Sequence, residues 1–348
     1  MGIPRIEPLE LHATLPSGPR NLITDVAGVR VGHATVQQGE VNTGVTAVLP
    51  HPGNLFLDKV MASAAVINGF GKSAGILQVQ ELGTIETPIL LTNTLSVGTA
   101  FTGLCRYVLE QNAGAGVYTG SVNCLVTECN DGRLNDIQGL HVREEHVLQA
   151  ISAAGETFEE GAVGGGTGMC CLGLKGGIGS ASRVVELDGT ACTVGALVMA
   201  NFGRAGDLMI GGRHIDTRSA GDRLAVQVAQ AVHDLRENDA ILKKPSIAET
   251  LDRMARRTAV ALGRTGSYCG NGSGDIAIAF TTANRVPHRG GAAVEAYRMV
   301  RDDRIDPVFL AAVEAVEEAI ISALYHARTL TGFQGRTSVG LRDFLGLA

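Results

Sequence analysis

The most informative stretch of the sequence, residues 264–284, reads Arg-Thr-Gly-Ser-Tyr-Cys-Gly-Asn-Gly-Ser-Gly-Asp-Ile-Ala-Ile-Ala-Phe-Thr-Thr-Ala-Asn. Its first half is rich in Gly and Ser, a composition typical of an irregular loop. In its second half Ile, Ile and Phe alternate with Ala, Ala and Thr, and this period of two predicts a buried β-strand over residues 274–283. Ser273 stands where the loop becomes the strand, between two glycines.

An uncrowded hydroxyl at the start of a buried strand makes Ser273 a candidate nucleophile. If the peptide bond after Gly272 is cut, Ser273 becomes a chain terminus, and its own α-amine, with a pKa of about 7.7–8.0, can act as the base. A glycine such as Gly272 can adopt conformations closed to other residues, so strain on that bond is easy to build. A Gly-rich turn that merely enters a strand explains the same residues equally well, and these residues alone leave both interpretations open.

The composition excludes several classes of protein. The 348 residues are 45% hydrophobic, which is enough for a sizeable core. The 29 basic and 35 acidic residues form no basic run, so we expect no nucleic-acid partner. No apolar leader follows Met1 and no apolar run is long enough to cross a bilayer. We therefore expect a cytoplasmic protein without a membrane partner.

The cysteines and glycines predict neither a metal site nor a cofactor site. The seven cysteines show no Cys-x-x-Cys spacing and no His at zinc distance, which favours free buried thiols. The glycine run at residues 164–168 lacks the last Gly of a dinucleotide fingerprint, because Cys171 occupies that place. We expect a crowded turn there.

The pattern of the chain favours an α/β protein with one domain. Period-two segments predict strands, and apolar stripes at helical spacing predict helices. Strands are expected over residues 21–31, 43–49 and 122–127, a strand or helix over 61–68, and three neighbouring antiparallel strands over 166–175, 179–187 and 191–201. Helices are expected over residues 96–109, 144–154, 219–235 and 246–262 and from Asp306 onward, where Asp-Pro is a typical helix start. Strands between helices indicate a layered sandwich.

Ser73 offers an alternative nucleophile. Residues 71–75 read Gly-Lys-Ser-Ala-Gly and match the Gly-x-Ser-x-Gly pattern of serine hydrolases. That motif requires a helix directly after the serine, whereas the composition of residues 76–79 favours a strand. The pattern therefore favours an ordinary loop, and a serine hydrolase that uses Ser73 stays as the alternative function.

Separate motifs along the chain form an ordered set. They are Ile23-Thr24-Asp25-Val26, Asn42-Thr43-Gly44-Val45-Thr46, Asn68-Gly69-Phe70-Gly71-Lys72, Leu91-Thr92-Asn93-Thr94, Lys175-Gly176-Gly177-Ile178-Gly179, Asn201-Phe202-Gly203 and Asn271-Gly272-Ser273-Gly274-Asp275. The set resembles the DmpA-like aminopeptidases, a family of L-aminopeptidase/D-esterase-amidases and β-aminopeptidases. Several motifs in one order are far more specific than a single motif.

The resemblance implies a four-layer αββα sandwich, similar to the N-terminal-nucleophile hydrolases, that cuts itself before its nucleophile. The cut would fall between Gly272 and Ser273 and give fragments 1–272 and 273–348. The implied activity is hydrolysis of the amide or ester bond after an N-terminal amino acid, through a Ser273 acyl-enzyme. Small peptides or amino-acid amides and esters are the implied substrates. The resemblance implies no metal and no cofactor. It does imply homo-oligomers, which are often tetramers.

The resemblance also implies roles for individual residues. Asn201 matches the family Asn that donates to the oxyanion, a role that suits a side-chain amide. Glu128 matches the carboxylate that binds the substrate's amino group. Asn130 stands where related enzymes often place a Tyr near the oxyanion, and Lys175 is expected near the nucleophile.

The last helix should supply an acid that orients the nucleophile, and Glu314, Glu317 and Glu318 are the candidates. At 100° per residue Glu317 lies about 60° from the centre of the apolar stripe, so it leans toward the core and is our choice. Relatives can carry a hydroxyl two positions before this acid, where Ala315 stands. Ala315 and Asn130 also keep open a second alternative, a non-catalytic descendant of the fold that only binds an amino compound.

Overall fold

The computed structural model describes residues 9, 11–218, 227–233, 246–290 and 294–347, with the backbone alone for 227–233. The described helices are α1 (Ile76–Leu82), α2 (Val97–Gln111), α3 (Glu144–Ser152), α4 (Ile247–Arg256), α5 (Thr258–Arg264), α6 (Asp306–His326) and α7 (Leu341–Leu345).

The described strands belong to two large sheets and three small hairpins. They are β1 (Arg30–Gln38), β2 (Val41–Leu49), β3 (Asp58–Val66), β4 (Thr84–Ile85), β5 (Ile89–Asn93), β6 (Leu125–Cys129), β7 (Cys170–Cys171), β8 (Leu174–Lys175), β9 (Gly177–Leu187), β10 (Thr190–Ala200), β11 (Met209–Ile210), β12 (Arg213–His214), β13 (Gln227–His233), β14 (Ile276–Pro287), β15 (Leu330–Thr331) and β16 (Thr337–Ser338).

The first sheet has the order β1-β2-β5-β6, and the second has the order β4-β3-β14-β13-β10-β9. Most pairs are antiparallel, while β5 pairs with β6 and β13 with β14 in parallel. An apolar core fills the space between the two sheets, with side chains from both, among them Val31, Val48, Leu91, Leu125, Leu197, Ile278 and Phe280. The two sheets therefore pack face to face.

Helices cover the outer face of each sheet. Helices α2 and α3 bury apolar residues against the first sheet, and α4 and α6 do so against the second. The layer order is helix, sheet, sheet, helix, which confirms the predicted αββα sandwich. None of the described helices is both long and apolar enough to cross a membrane.

Strand β14 (Ile276–Pro287) confirms the strand predicted from the alternating residues. Ile278 and Phe280 point into the core between the sheets, whereas Ala277 and Ala279 face the outer layer that contains α4 and α6. Burial of each large side chain contributes about 1.5–3 kcal/mol, and the small alanines let the helices approach closely. The alternation thus places the loop before β14 at the edge of the inter-sheet core.

The prediction of a helix over residues 219–235 is wrong for residues 227–233, the part of this range that the structure describes. Residues 227–233 form strand β13, hydrogen-bonded to β10 on one side and to β14 on the other. Residues 219–226 and 234–235 lie outside the described residues. The central place in the sheet gives this segment backbone partners on both edges, and such tertiary pairing overrides local helix propensity.

Two predicted strands are also corrected. Residues 166–175 do not join the sheet of β9 and β10. They form only the short hairpin of β7 and β8, in which each strand has two residues. A side chain on Gly166 would come within 2.5 Å of the backbone of Ile178, so this segment packs beneath β9. In residues 21–31 a 3₁₀ turn, Ile23–Asp25, precedes β1.

The helix predictions need smaller corrections. The helix expected over residues 246–262 is broken at Arg257 into α4 and α5. Residues 76–79, expected to favour a strand, lie in helix α1. Helix α6 begins at Asp306, with Pro in its first turn as expected, although Ile305 holds the capping position.

Candidate active site

Ser273 lies at the end of a tight turn that leads into β14. Its backbone N–H donates to the carbonyl of Gly270 at 2.8 Å, which closes the turn around the Gly272–Ser273 bond. Just before the turn, Cys269 has a φ of +52°, a left-handed conformation that is uncommon for a residue with a side chain. The chain is therefore tightly folded directly before the candidate cleavage site.

The hydroxyl of Ser273 donates to Asp275 Oδ1 at 2.7 Å. Both residues are buried, with 8% of Ser273 and 1% of Asp275 exposed. A carboxylate in this position can accept the hydroxyl proton when the oxygen attacks. The sequence analysis gave Asp275 no role, although its spacing was a signal: residues two apart in an extended chain point to the same side.

The segment that follows β3 holds this loop in place. The amide nitrogen of the Asn68 side chain donates to the carbonyls of Gly270, at 2.8 Å, and of Ser273. The backbone N–H of Phe70 donates to the same Ser273 carbonyl at 3.3 Å, and that of Asn68 to the carbonyl of Asp275 at 3.2 Å. In the sequence Asn68 is only one residue of a motif. Its hydrogen bonds to Gly270 and Ser273, at the two ends of the turn, become apparent only in the structure.

A cavity of about 360 Å³ opens beside the turn. Its lining residues are Gly203, Arg204, Ser267, Tyr268, Gly270, Asn271, Gly272 and Ser273. The candidate nucleophile and the candidate cleaved bond thus border a space of the size that small-molecule sites occupy.

Asn201 is fully buried directly after β10. Its side-chain oxygen accepts from the backbone N–H of Cys170 at 2.9 Å, and its side-chain nitrogen donates to the carbonyl of Asn130 at 3.0 Å. The structure therefore brings Asn201 and Asn130 together. The Asn130 side chain itself accepts from the N–H of Gly132 at 2.9 Å, within its own turn.

Glu128 lies near the end of β6 and is buried. Its carboxylate accepts from the backbone N–H of Lys72 at 2.7 Å and from the hydroxyl of Thr94. Burial raises the pKa of the neighbouring Cys129 thiol well above its usual value, and the charges of Glu128 and Asp275 add to this effect. The Lys72 N–H that binds Glu128 belongs to the same segment as Asn68 and Phe70, whose N–H groups hold the Ser273 carbonyl, and this connects Glu128 to the surroundings of Ser273.

Lys175 is fully buried, and its ammonium group bonds to main-chain oxygens. The acceptors are the carbonyls of Gly166, Met169 and Gly176, at 3.2, 2.7 and 2.7 Å. Burial lowers the pKa of Lys175 to about 8, while the charges of Cys170 and Asp131 act in the opposite direction. Lys175 thus fixes the loop from which Cys170 holds the Asn201 side chain.

Glu317 forms an ion pair with Arg264, with 2.7 Å between Oε2 and Nε. Burial raises the pKa of Glu317, and the Arg264 charge opposes that shift. Arg264 also donates to the carbonyl of His12 at 3.0 Å. Among the contacts of the described residues, Glu317 is joined to the beginning of the 264–273 loop, whereas the hydroxyl of Ser273 is joined to Asp275.

Comparison with known proteins identifies the family. The model of the peptidase family S58 matches residues 21–338. The chain belongs to peptidase family S58. The resemblance drawn from the sequence motifs is thereby confirmed. Together with the relatives that follow, the family identifies the chain as an aminopeptidase.

Relatives of this S58 aminopeptidase span nearly its whole length. The beta-peptidyl aminopeptidase BapA of Sphingosinicella microcystinivorans is 39% identical over 355 residues, which cover 96% of this chain and 88% of BapA. The crystal structure of the PH0078 protein from Pyrococcus horikoshii OT3 is 49% identical, with a TM-score of 0.90, and covers 97% of this chain and 96% of that one. The L-aminopeptidase D-Ala-esterase/amidase of Ochrobactrum anthropi, a variant of the Ntn hydrolase fold, is 36% identical with a TM-score of 0.87 and covers 99% and 100%.

Ser73, the alternative nucleophile of this S58 chain, lies in a different setting. Ala74, next to it, exchanges backbone hydrogen bonds with Val126 at 2.9 and 3.1 Å. Gly75 has a φ of +89° and is the capping residue directly before helix α1. A helix does follow the serine, contrary to expectation, but β3 ends at Val66 and no strand leads directly into the turn. The strand–turn–helix context of the Gly-x-Ser-x-Gly motif is therefore incomplete.

The seven cysteines all lie in the described part of the chain and form no disulfide there. Five are buried, and Cys105 and Cys269 are only partly buried. In the described part of the chain, no group of three or more His, Cys, Asp or Glu residues is arranged to hold a metal ion.

Proposed function

We propose that this S58 aminopeptidase cuts its own Gly272–Ser273 bond and then uses Ser273 as an N-terminal nucleophile. The observation that carries the proposal is the buried Ser273 hydroxyl, directed at the Asp275 carboxylate with 2.7 Å between the oxygens, at the end of a tight turn beside a cavity. The family membership supports the same activity.

In the first reaction, Ser273 Oγ attacks the carbonyl carbon of Gly272. Asp275 takes the hydroxyl proton, because the α-amine of Ser273 is still part of the peptide bond and cannot act as a base. The C–N bond then breaks, the nitrogen receives the proton, and an ester joins Gly272 to the Ser273 oxygen. Water hydrolyses the ester and leaves the Gly272 carboxylate and a free Ser273 amine.

In the second reaction, the free α-amine of Ser273 takes the hydroxyl proton as Oγ attacks the substrate amide or ester. Asn201 and backbone N–H groups stabilise the oxyanion, Glu128 holds the substrate's ammonium group, and Lys175 fixes the loop behind Asn201. The leaving amine or alcohol takes up the proton, and water releases the acyl group. We assign Glu317 a positioning role: its ion pair with Arg264 holds the start of the 264–273 loop in place.

The substrates of this reaction are small peptides or amino-acid amides and esters with a free amino group. The printed names of the relatives, a beta-peptidyl aminopeptidase and an L-aminopeptidase D-Ala-esterase/amidase, support this class. The resemblance described above also supports a homo-oligomer, with a tetramer favoured, and the cytoplasmic location stays a prediction of the sequence analysis. Neither a cofactor nor a metal takes part in the proposed steps.

Intact-mass spectrometry of the purified protein tests the proposal. We expect the 36.2 kDa chain to give two fragments, 1–272 and 273–348, whose masses add to that of the chain plus one water. Ser273→Ala should give one full-length mass, because it removes the attacking oxygen. A full-length mass for the wild-type protein after long incubation, together with no aminopeptidase activity, contradicts the proposal.

A further inference from the structure

Arg204 carries a positive charge at the cavity beside Ser273. Its backbone is fixed on both sides. Before it, Phe202 is fully buried, and its carbonyl accepts from the N–H of Leu172 at 2.6 Å. After it, the N–H of Gly206 donates to the hydroxyl of Thr217 at 2.8 Å. The guanidinium is therefore carried on an anchored turn.

Tyr268 supports the guanidinium from the opposite loop. The central carbon of the Arg204 guanidinium lies 4.9 Å from the centre of the Tyr268 ring, a cation–π arrangement. The two loops are joined directly, because the N–H of Met209 donates to the carbonyl of Thr265 at 3.0 Å. Stacking of this kind leaves the N–H donors at the edge of the guanidinium plane able to bind an anion.

The charge of Arg204 has no acidic partner among the described residues. Other arginines do have one: Arg264 pairs with Glu317 and Arg183 with Glu314. A cation that is stacked on an aromatic ring, has no counter-ion in the described part of the chain and lies at a cavity beside Ser273 provides a site for an anion. A carboxylate suits it best, since Arg binds the two oxygens of a carboxylate with two parallel hydrogen bonds.

The sign of the charge determines which part of the substrate enters this cavity. Under the proposed function, on which this inference rests, Glu128 holds the substrate's ammonium group. A guanidinium repels an ammonium group, so the cavity takes the part of the substrate that departs as the amine. We propose that Arg204, supported by Tyr268, binds the C-terminal carboxylate of that part, so that the enzyme prefers short peptides with a free C-terminus to their amides.

The test compares alanyl-leucine with its C-terminal amide, which differ by one charge. With the processed wild-type enzyme we expect kcat/KM to be about tenfold or more higher for the free acid, mainly through a lower KM, as a charge-assisted hydrogen bond predicts. Arg204→Met should bring the ratio of the two values close to one, and Arg204→Lys should keep part of it. Arg106→Met, at an exposed arginine of α2, is the matched control and should keep the wild-type ratio.

Alanyl-glutamate amide separates the two possible sources of the carboxylate. It carries its acid on the side chain, and we expect it to behave as the leucine amide does. A kcat/KM equal to that of alanyl-leucine would overturn the assignment to the C-terminus. Tyr268→Phe should keep the preference for the free acid, and Tyr268→Leu should weaken it.

Equal kcat/KM for acid and amide in the wild-type enzyme, or an unchanged ratio in Arg204→Met, overturns the inference and leaves the proposed function intact. Intact mass shows for each variant whether it has processed, which separates a binding defect from failure to fold. Wild-type protein that stays in one piece and hydrolyses neither substrate overturns the proposed function, and this inference with it.

Discussion

Two serine loops with similar sequences meet in this molecule and differ in their surroundings. Both place a serine among glycines, in Gly-Lys-Ser-Ala-Gly around Ser73 and in Asn-Gly-Ser-Gly-Asp around Ser273. The hydroxyl of Ser273 is buried, has a carboxylate acceptor and borders a cavity. The segment that leads to Ser73, by contrast, contributes Asn68 and Phe70, whose N–H groups hold the Ser273 carbonyl.

The contacts join the two loops into one assembly, and under the proposed function they have separate tasks. The Ser73 segment supplies backbone and amide donors, including the Lys72 N–H that binds Glu128. The Ser273 segment supplies the proposed nucleophile. A short Gly-x-Ser-x-Gly pattern does not distinguish these tasks, because the distinction depends on which carboxylate and which cavity the fold brings to each hydroxyl.

The largest expected effect separates the two serines. Ser273→Ala should abolish aminopeptidase activity, with a loss of roughly 10⁴-fold or more, because the covalent route is removed. Ser73→Ala should keep activity within about tenfold of wild type, since only a neighbouring loop is altered. Steady-state hydrolysis of an amino-acid p-nitroanilide measures both. Activity that survives Ser273→Ala and is lost in Ser73→Ala would reverse the assignment.

The second prediction concerns the Asp275 carboxylate, which accepts a hydrogen bond from the Ser273 hydroxyl. Asp275→Asn should slow self-cleavage by roughly 10²–10⁴-fold, the usual contribution of a general base. The amide retains the size of the side chain but is a far weaker base than the carboxylate. The rate at which full-length protein disappears, followed by mass after synthesis, measures the effect. Processing at the wild-type rate in Asp275→Asn would show that another group takes the proton.

The smallest expected effect compares the glycines of the two loops. A Cβ on Gly75 would lie 2.3 Å from the carbonyl oxygen of Cys124, and its φ of +89° disfavours any side chain. Gly75→Ala should therefore lower the free energy of unfolding by about 2–4 kcal/mol.

A Cβ on Gly272 would meet nothing within 4 Å, so Gly272→Ala should change the stability by less than about 1 kcal/mol. Denaturant unfolding in a Ser273→Ala background, which keeps both proteins uncut, compares the two glycines. An equal stability loss at both positions would contradict the difference in backbone crowding.

The sequence predicts best where local pattern and tertiary role agree. The alternation in residues 276–280 predicts both the strand and its two faces, because one face packs on the other sheet and the other on helices. The ordered motifs predict the αββα fold and the family. Ser273 could be singled out because glycines on both sides leave its hydroxyl uncrowded.

The rest depends on partners far away in the chain. Residues 227–233 become a strand because β10 and β14 lie on either side, which no local pattern reports. Glu317 leans toward the core as the helical spacing indicates, but its partner is Arg264, at the end of a different helix. Asn68 is fixed by a turn some 200 residues later, a contact without a local signature.

The position of β14 between β3 and β13 has a consequence for the protein after the proposed cut. Fragment 273–348 begins just before a strand that is hydrogen-bonded along both edges, so the two pieces remain one folded unit although no covalent bond joins them. Once unfolded, however, they would be two independent molecules, and refolding would require them to meet again, which makes the stability dependent on protein concentration. Maturation would thus turn a folding equilibrium within one chain into an association equilibrium between two.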